Sequence, residues 1–300
     1  MPVTRENLLE RLRRGALILD GAIGTELERR GVTTSLPLWS AAALLECPQQ
    51  VAAIHADYAQ AGAEILVANT FRTNPRTLRR ADRLADGPAL NNLAVELARQ
   101  AANRRPGKPA FVAASVAPVA DCYRPEDVPD ADTLRREHVQ MADWLADARP
   151  DLIWIETMNT VREARIAAEA AAATGLPFAV SFVVAQTGCL LSGEPLPAAI
   201  EAVRPFNPLA LGLNCIPPSG LSDLLPLLKP TGDLSLAAYA HINNRQPIRG
   251  WDYAQQVSPE DYAGYARRWL ELGARIVGGC CGTTPAHIRA LHELCVNDKP

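Results

Sequence analysis

Eight short apolar runs recur along the chain, and the stretches between them are rich in Ala, Leu and Arg at helical spacing. The runs are ALILDG (16–21), AEILVAN (63–69), AFVAASV (110–116), DLIWIET (151–157), PFAVSFVV (177–184), ALGLNC (210–215), SLAAYAH (235–241) and ARIVGGCC (274–281). Most are continuously apolar rather than alternating, the pattern of strands buried on both faces. Eight strand-then-helix units predict a single-domain (β/α)8 TIM barrel over residues 1–300. The rival, an open doubly wound sheet, would want a GxGxxG turn after its first strand. Here that strand runs into DGAIGTE, whose glycines lack the spacing. Residues 4–14 predict a helix with Leu8, Leu9 and Leu12 on one side, and PVADCYRPEDVPDA (118–131) predicts a long polar loop over the barrel mouth.

Of the 300 residues, 48% are hydrophobic and 21% charged, enough apolar material for a large core. Thirty basic against 33 acidic side chains leave a net charge of −3, without the basic footprint that nucleic acid or an anionic membrane requires. A small-molecule partner is expected, with no nucleic acid and no membrane; no sequence feature sets an oligomeric state. MPVTRENLLERLRRG lacks the apolar core of a signal peptide, and no segment reaches the roughly 20 apolar residues of a membrane span, so a cytoplasmic location is expected. Seven cysteines, an odd number without a secretion signal, then point to metal, catalytic or packing roles rather than a disulfide framework.

The C-terminal ends of barrel strands form the catalytic face. In this chain those ends bear Asp20, Asn69 with Thr70, Ser115, Glu156 with Thr157, Asn214 with Cys215, His241, and Cys280 with Cys281. One cysteine ending a strand is ordinarily a small buried hydrophobe; three on one rim suggest ligands. Neighbouring side chains on a regular strand face opposite ways, so Cys280 and Cys281 can share a centre only if the backbone bends, a freedom Gly278, Gly279 and Gly282 offer. A vicinal disulfide is the alternative, disfavoured by ring strain and a reducing compartment. Three soft thiolates select Zn2+ over magnesium or calcium and leave a fourth position open for chemistry. Cys47, Cys122, Cys189 and Cys295, read as helix, loop, loop and tail, are given no metal role.

Asp20 and Glu156 fit two readings: capping or turn residues, or partners of a substrate ammonium group, which suits an amino acid. Gly21, Ala22 and the GTE that follows offer backbone N–H groups to its carboxylate, and Asn69 and Thr70 add neutral hydrogen-bonding groups.

DGAIGTELERRG, LWSAAALLE followed by HADYAQAGAEILVANTFRTN, IWIETM, GLNC and GARIVGGCCGTTPAHIRAL, in that order, resemble the homocysteine S-methyltransferase family from about residue 15 to residue 292. The pairing of GGCCGT with a distant GLNC is the specific part. The resemblance implies a (β/α)8 barrel, zinc on Cys215, Cys280 and Cys281, and Asp20 and Glu156 on the homocysteine amino group. It further implies methyl transfer to homocysteine, giving methionine, from a sulfonium donor. S-Methylmethionine is favoured, because LWSAAALLE looks closer to that branch and 300 residues leave no room for folate and cobalamin modules. S-Adenosylmethionine is next, then betaine-type or dimethylsulfonium donors; another thiol or selenol acceptor stays open.

The chain departs from the family twice. SVAPVADCYRPEDVP replaces a glycine-rich SVGPYG-type segment, and YAHINNRQ replaces a Tyr-Pro-Asn-like turn. His241 falls near that Asn position, so it, or Asn243, is expected to approach the metal when substrate is absent; a strand-end hydrogen bond is the plainer role. Among other functions, a Schiff-base aldolase needs an inner-rim lysine, and Lys108, Lys229 and Lys299 sit before the third strand, in a helix and in the tail. A phosphate-binding barrel leaves the twin cysteines unexplained, and a non-catalytic zinc or thiol sensor would share the ligands without turnover.

Overall fold

The computed structural model describes residues 3–228, 234–243 and 256–297. Lys229 and Lys299 fall outside them. The chain opens with α1 (Arg5–Arg13), β1 (Leu17–Ile18), α2 (Ile23–Arg29), α3 (Ala42–Glu46), α4 (Pro48–Gln60), β2 (Ile65–Ala68), α5 (Pro75–Arg80), α6 (Gly87–Asn103) and β3 (Phe111–Val116). It continues with α7 (Ala131–Ala148), β4 (Leu152–Met158), α8 (Val161–Ala173), β5 (Phe178–Phe182), α9 (Leu196–Val203), β6 (Ala210–Asn214), α10 (Pro218–Leu224), β7 (Ser235–Ala240), α11 (Pro259–Glu271), β8 (Ala274–Gly279) and α12 (Pro285–Asn297). From β2 to β8 each strand pairs in parallel with the next, and β1 pairs β8. The Leu19–Ile65 bridge joins the first strand to β2, so the eight strands form a nearly closed (β/α)8 barrel, as the repeat predicts.

Two apolar layers explain why the runs do not alternate. Leu17, Leu19, Ile65, Ala113, Leu152, Trp154, Ala179, Ala210, Ala237, Tyr239 and Ile276 fill the barrel interior, while Ile18, Leu66, Val112, Ile153, Val180 and Leu211 pack outward against the helices. Leu8, Leu9 and Leu12 of α1 join the interior cluster beside Leu152 and Leu209, from the N-terminal ends of β4 and β6. Helix α1 thus stoppers the bottom of the barrel. Its start is fixed by a reciprocal cap between Thr4 and Asn7.

The first strand is shorter than its apolar run, because the chain turns at Asp20, whose carbonyl accepts from Gly279. The loop after β3, residues 117–130, is held by side chains from three elements. Glu163 Oε1 accepts the Val119 N–H at 2.8 Å, Asn159 Nδ2 donates to the Cys122 carbonyl at 2.9 Å and Arg72 Nη1 to the Ala120 carbonyl at 3.2 Å. Cys295 lies within α12 rather than in a tail.

Candidate active site

Cys215 follows β6 and takes φ 54°, a left-handed conformation that costs a non-glycine residue about 1–3 kcal/mol. Thr157, in β4, takes φ 61°. The two distortions are tied together: Asn214 Oδ1 accepts the Thr157 N–H at 3.0 Å and Asn214 Nδ2 donates to Thr157 Oγ1 at 2.9 Å. Beside them the β4–β5 register shifts between Ile155 and Met158, a bulge that re-aims Glu156.

Cys280 and Cys281 lie just past the end of β8, so strand alternation does not apply to them. Of the three glycines read as the source of the bend, only Gly282 has positive φ, 80°. Gly278 and Gly279 are there for close approach: a Cβ on Gly278 would sit 2.5 Å from that of Leu19, and one on Gly279 2.2 Å from Thr283 Oγ1. The turn is closed by Thr283, whose hydroxyl donates to the Cys280 carbonyl at 2.7 Å, and by the Gly282 N–H, which donates to Thr25 Oγ1 at 2.8 Å.

These local shapes bring the sulfurs of Cys215, Cys280 and Cys281 within 4.8 Å of one another, with Cys215 and Cys281 Sγ 3.5 Å apart. Three thiols with no disulfide among them, converging at the mouth of a barrel, form a donor set suited to a soft divalent ion. Their protons are unevenly held. Hydrogen bonding with Cys280 and Cys281 holds the Cys215 thiol well below the usual thiol range, and the same contacts push Cys280 and Cys281 up. Tyr123, from the loop after β3, places its hydroxyl 3.0 Å from Cys215 Sγ.

The cluster lies on the wall of a cavity of about 480 Å³ that is also lined by Asp20, Gly21, Asn69, Glu156 and the aromatic rings of Trp39, Phe71, Tyr123 and Tyr239. Asp20 Oδ2 accepts the Val67 N–H at 2.9 Å; burial, opposed by that bond and reinforced by Glu156, pushes its carboxyl well above the usual range. Glu156 accepts from Ser115 Oγ, and Tyr239 OH lies 3.5 Å from its Oε2. Burial outweighs those bonds and raises the Glu156 carboxyl from 4.5 to about 7. Two carboxyls held in this way favour a cation between them. Gly21 has no room for a side chain, since a Cβ would lie 2.7 Å from Tyr58 Oη and 2.8 Å from Thr283 Oγ1.

The other predicted site residues divide. Asn69 reaches the cavity, but its amide is committed to Ser40: Oδ1 accepts the Ser40 hydroxyl and Nδ2 donates to the Ser40 carbonyl, both at 2.8 Å. Thr70 is fully buried behind the wall and donates to the Ser115 carbonyl at 2.8 Å, so the structure does not bring it into the cavity. His241 is likewise fully buried and off the wall, its Nδ1 accepting the Asn243 N–H at 3.1 Å. The Ala22 N–H is taken by Thr283 Oγ1 at 3.3 Å. Sequence reasoning passed over Tyr123, Tyr239, Phe71 and Arg72. Tyr239 alone had a signal, as an inward position near the end of β7.

The fold and the mouth thus define a barrel enzyme with a three-cysteine centre facing an acidic, aromatic cavity. A family model described as homocysteine S-methyltransferase matches residues 17–295. The homocysteine S-methyltransferase of Escherichia coli K12 is 32% identical over 92% of this chain and 94% of its own. A selenocysteine methyltransferase of Astragalus bisulcatus is 28% identical over 93% of this chain and 92% of its own. The crystal structure of the E. coli homocysteine methyltransferase MmuM in its metallated form superposes with a TM-score of 0.82, at 30% identity, covering 96% of this chain and 99% of that one. The chain belongs to the homocysteine S-methyltransferase family.

Proposed function

We propose that this enzyme transfers a methyl group from a sulfonium donor, S-methylmethionine before S-adenosylmethionine, to the thiol of L-homocysteine, with Cys215, Cys280 and Cys281 holding zinc. The observation that carries the reading is the convergence of three sulfurs from β6 and β8 within 4.8 Å beside two buried carboxyls in one cavity. A free thiol with a pKa of about 8.5 is only a few per cent ionised at pH 7, a deficit of roughly 2 kcal/mol. Zinc held by the three cysteines would supply that ionisation by binding the acceptor sulfur as its thiolate.

The chain's own residues do the rest. Asp20 and Glu156 receive the homocysteine ammonium, which fixes the acceptor sulfur over the cysteines. The acceptor S–H proton leaves to solvent through the open mouth. The sulfur then forms a bond to the donor methyl carbon as the carbon–sulfonium bond breaks, and the electron pair stays on the departing sulfide. Trp39, Phe71, Tyr123 and Tyr239 surround the methyl group with ring faces and edges suited to an onium cation. Positioning of the two sulfurs in line supplies much of the acceleration.

The test is an assay of methionine formation from homocysteine across a panel of methyl donors, with metal content measured on the same samples. Turnover from S-methylmethionine, lost on chelation and in Cys281→Ser, is expected; turnover that survives both would overturn the reading. Selenocysteine belongs in the panel as a second acceptor, because the Astragalus relative is a selenocysteine methyltransferase.

A further inference from the structure

Among the described residues, Asp20, Arg72, Asp121 and Glu156 are the charged side chains on the cavity wall, and Arg72 alone of these is cationic. It lies between β2 and α5, four residues past the strand end. Its guanidinium is held in place: Nη1 donates to the Ala120 carbonyl at 3.2 Å, and Cζ lies 5.5 Å from the centre of the Phe71 ring. It is also incompletely satisfied. Nε is buried and has no hydrogen-bond partner, and among the described residues no carboxylate lies within ion-pair distance of Arg72.

A guanidinium on a cavity wall with no counter-anion is suited to a planar anion. In the reading above, the sulfurs and the two carboxyls take the thiol and ammonium of the acceptor and make no use of Arg72. We propose that Arg72 recognises the carboxylate of the methyl donor, making this enzyme selective for onium donors that carry a carboxylate. The proposal rests on the methyl-transfer reading above and deepens it by naming the donor class. The onium methyl group lies among the rings, with the carboxylate reaching outward to the β2–α5 loop.

The probes are S-methylmethionine and its carboxamide, which keeps the sulfonium and the ammonium but has no carboxylate. Calorimetric titration without homocysteine reads binding with no reaction. Metal-loaded wild type should bind the carboxamide about 10- to 100-fold more weakly than S-methylmethionine. Arg72→Gln should bind both at that weaker level, so the two changes are not additive, and Arg72→Lys should recover part of the difference. In steady state Arg72→Gln should raise KM for the donor while KM for homocysteine moves less than about twofold.

Equal binding of the two probes by wild type would overturn the proposal without any variant. So would a full carboxamide penalty retained in Arg72→Gln, or a rise in the homocysteine KM matching that of the donor. If the probes discriminate as expected and no methionine forms, the methyl-transfer reading fails while Arg72 stands as a carboxylate site.

Discussion

At the residue scale, Glu156 has two consequences of opposite sign. Its carboxyl, raised to about 7 by burial, is neutral below that pH and anionic above it. Pairing with a substrate ammonium therefore strengthens as pH rises through 7 and is lost as pH falls. In the ligand-free fold the same shift runs the other way: the folded state holds this proton more tightly than the unfolded chain, so the contribution to stability is full below the unfolded value and is lost as pH rises through 7. Glu156→Gln should abolish the pH dependence of the homocysteine KM near 7 and lower kcat/KM by about 10- to 150-fold, the range for losing a charge-assisted contact. At pH 8 the variant should melt higher than ligand-free wild type. A homocysteine KM that keeps its wild-type pH profile in the variant would remove Glu156 from ammonium binding. The sulfur centre gives a simpler expectation: if the three cysteines hold zinc as proposed, wild type should contain it stoichiometrically by elemental analysis and Cys215→Ser should lose it, since a hydroxyl is a poor replacement for a thiolate ligand.

At the element scale, the turn between β8 and α12 decides whether two adjacent cysteines face one point. A side chain at Gly282 would be strained by φ 80° and would meet Ile242 Cγ1 at 2.5 Å. Gly282→Ala should cost about 1–3 kcal/mol in denaturant unfolding and should weaken metal retention in the same protein. The loop after β3 depends on Glu163, which is fully buried in α8 and accepts both the Val119 N–H and His138 Nε2, the latter at 3.1 Å. Glu163→Ala leaves that N–H without its partner and should expose residues 117–130 to limited proteolysis faster than wild type. The β-rich runs, the helix over residues 4–14 and the long loop were legible because each writes its own signal in apolar period, cap chemistry or proline content. The bulge at Glu156 was not, because a register shift between β4 and β5 is a property of two strands.

At the scale of the whole molecule, a helix from before the first strand closes one end of the barrel and leaves the chemistry to the other. Leu8→Ala should cost about 2–5 kcal/mol, as for a fully buried large-to-small change, and should leave both substrate KM values unchanged. A shift in either KM would mean that the two ends are coupled. Metal binding to the folded state alone should raise the melting temperature with metal concentration, and a chelator should reverse it.

The sequence by itself determined the barrel and placed three cysteines and two carboxyls at strand ends on one rim, since strand ends in a (β/α)8 fold are fixed by the order of apolar runs. Only the tertiary structure decided which rim residues face the cavity: Thr70 and His241 turn behind the wall and Asn69 spends its amide on Ser40, while Tyr123 and Arg72 enter from loops that carry no periodic signal. The reason is that period and composition place a residue along an element. Where its side chain points depends on the partners that satisfy its polar atoms, and here those partners come from distant segments of the chain.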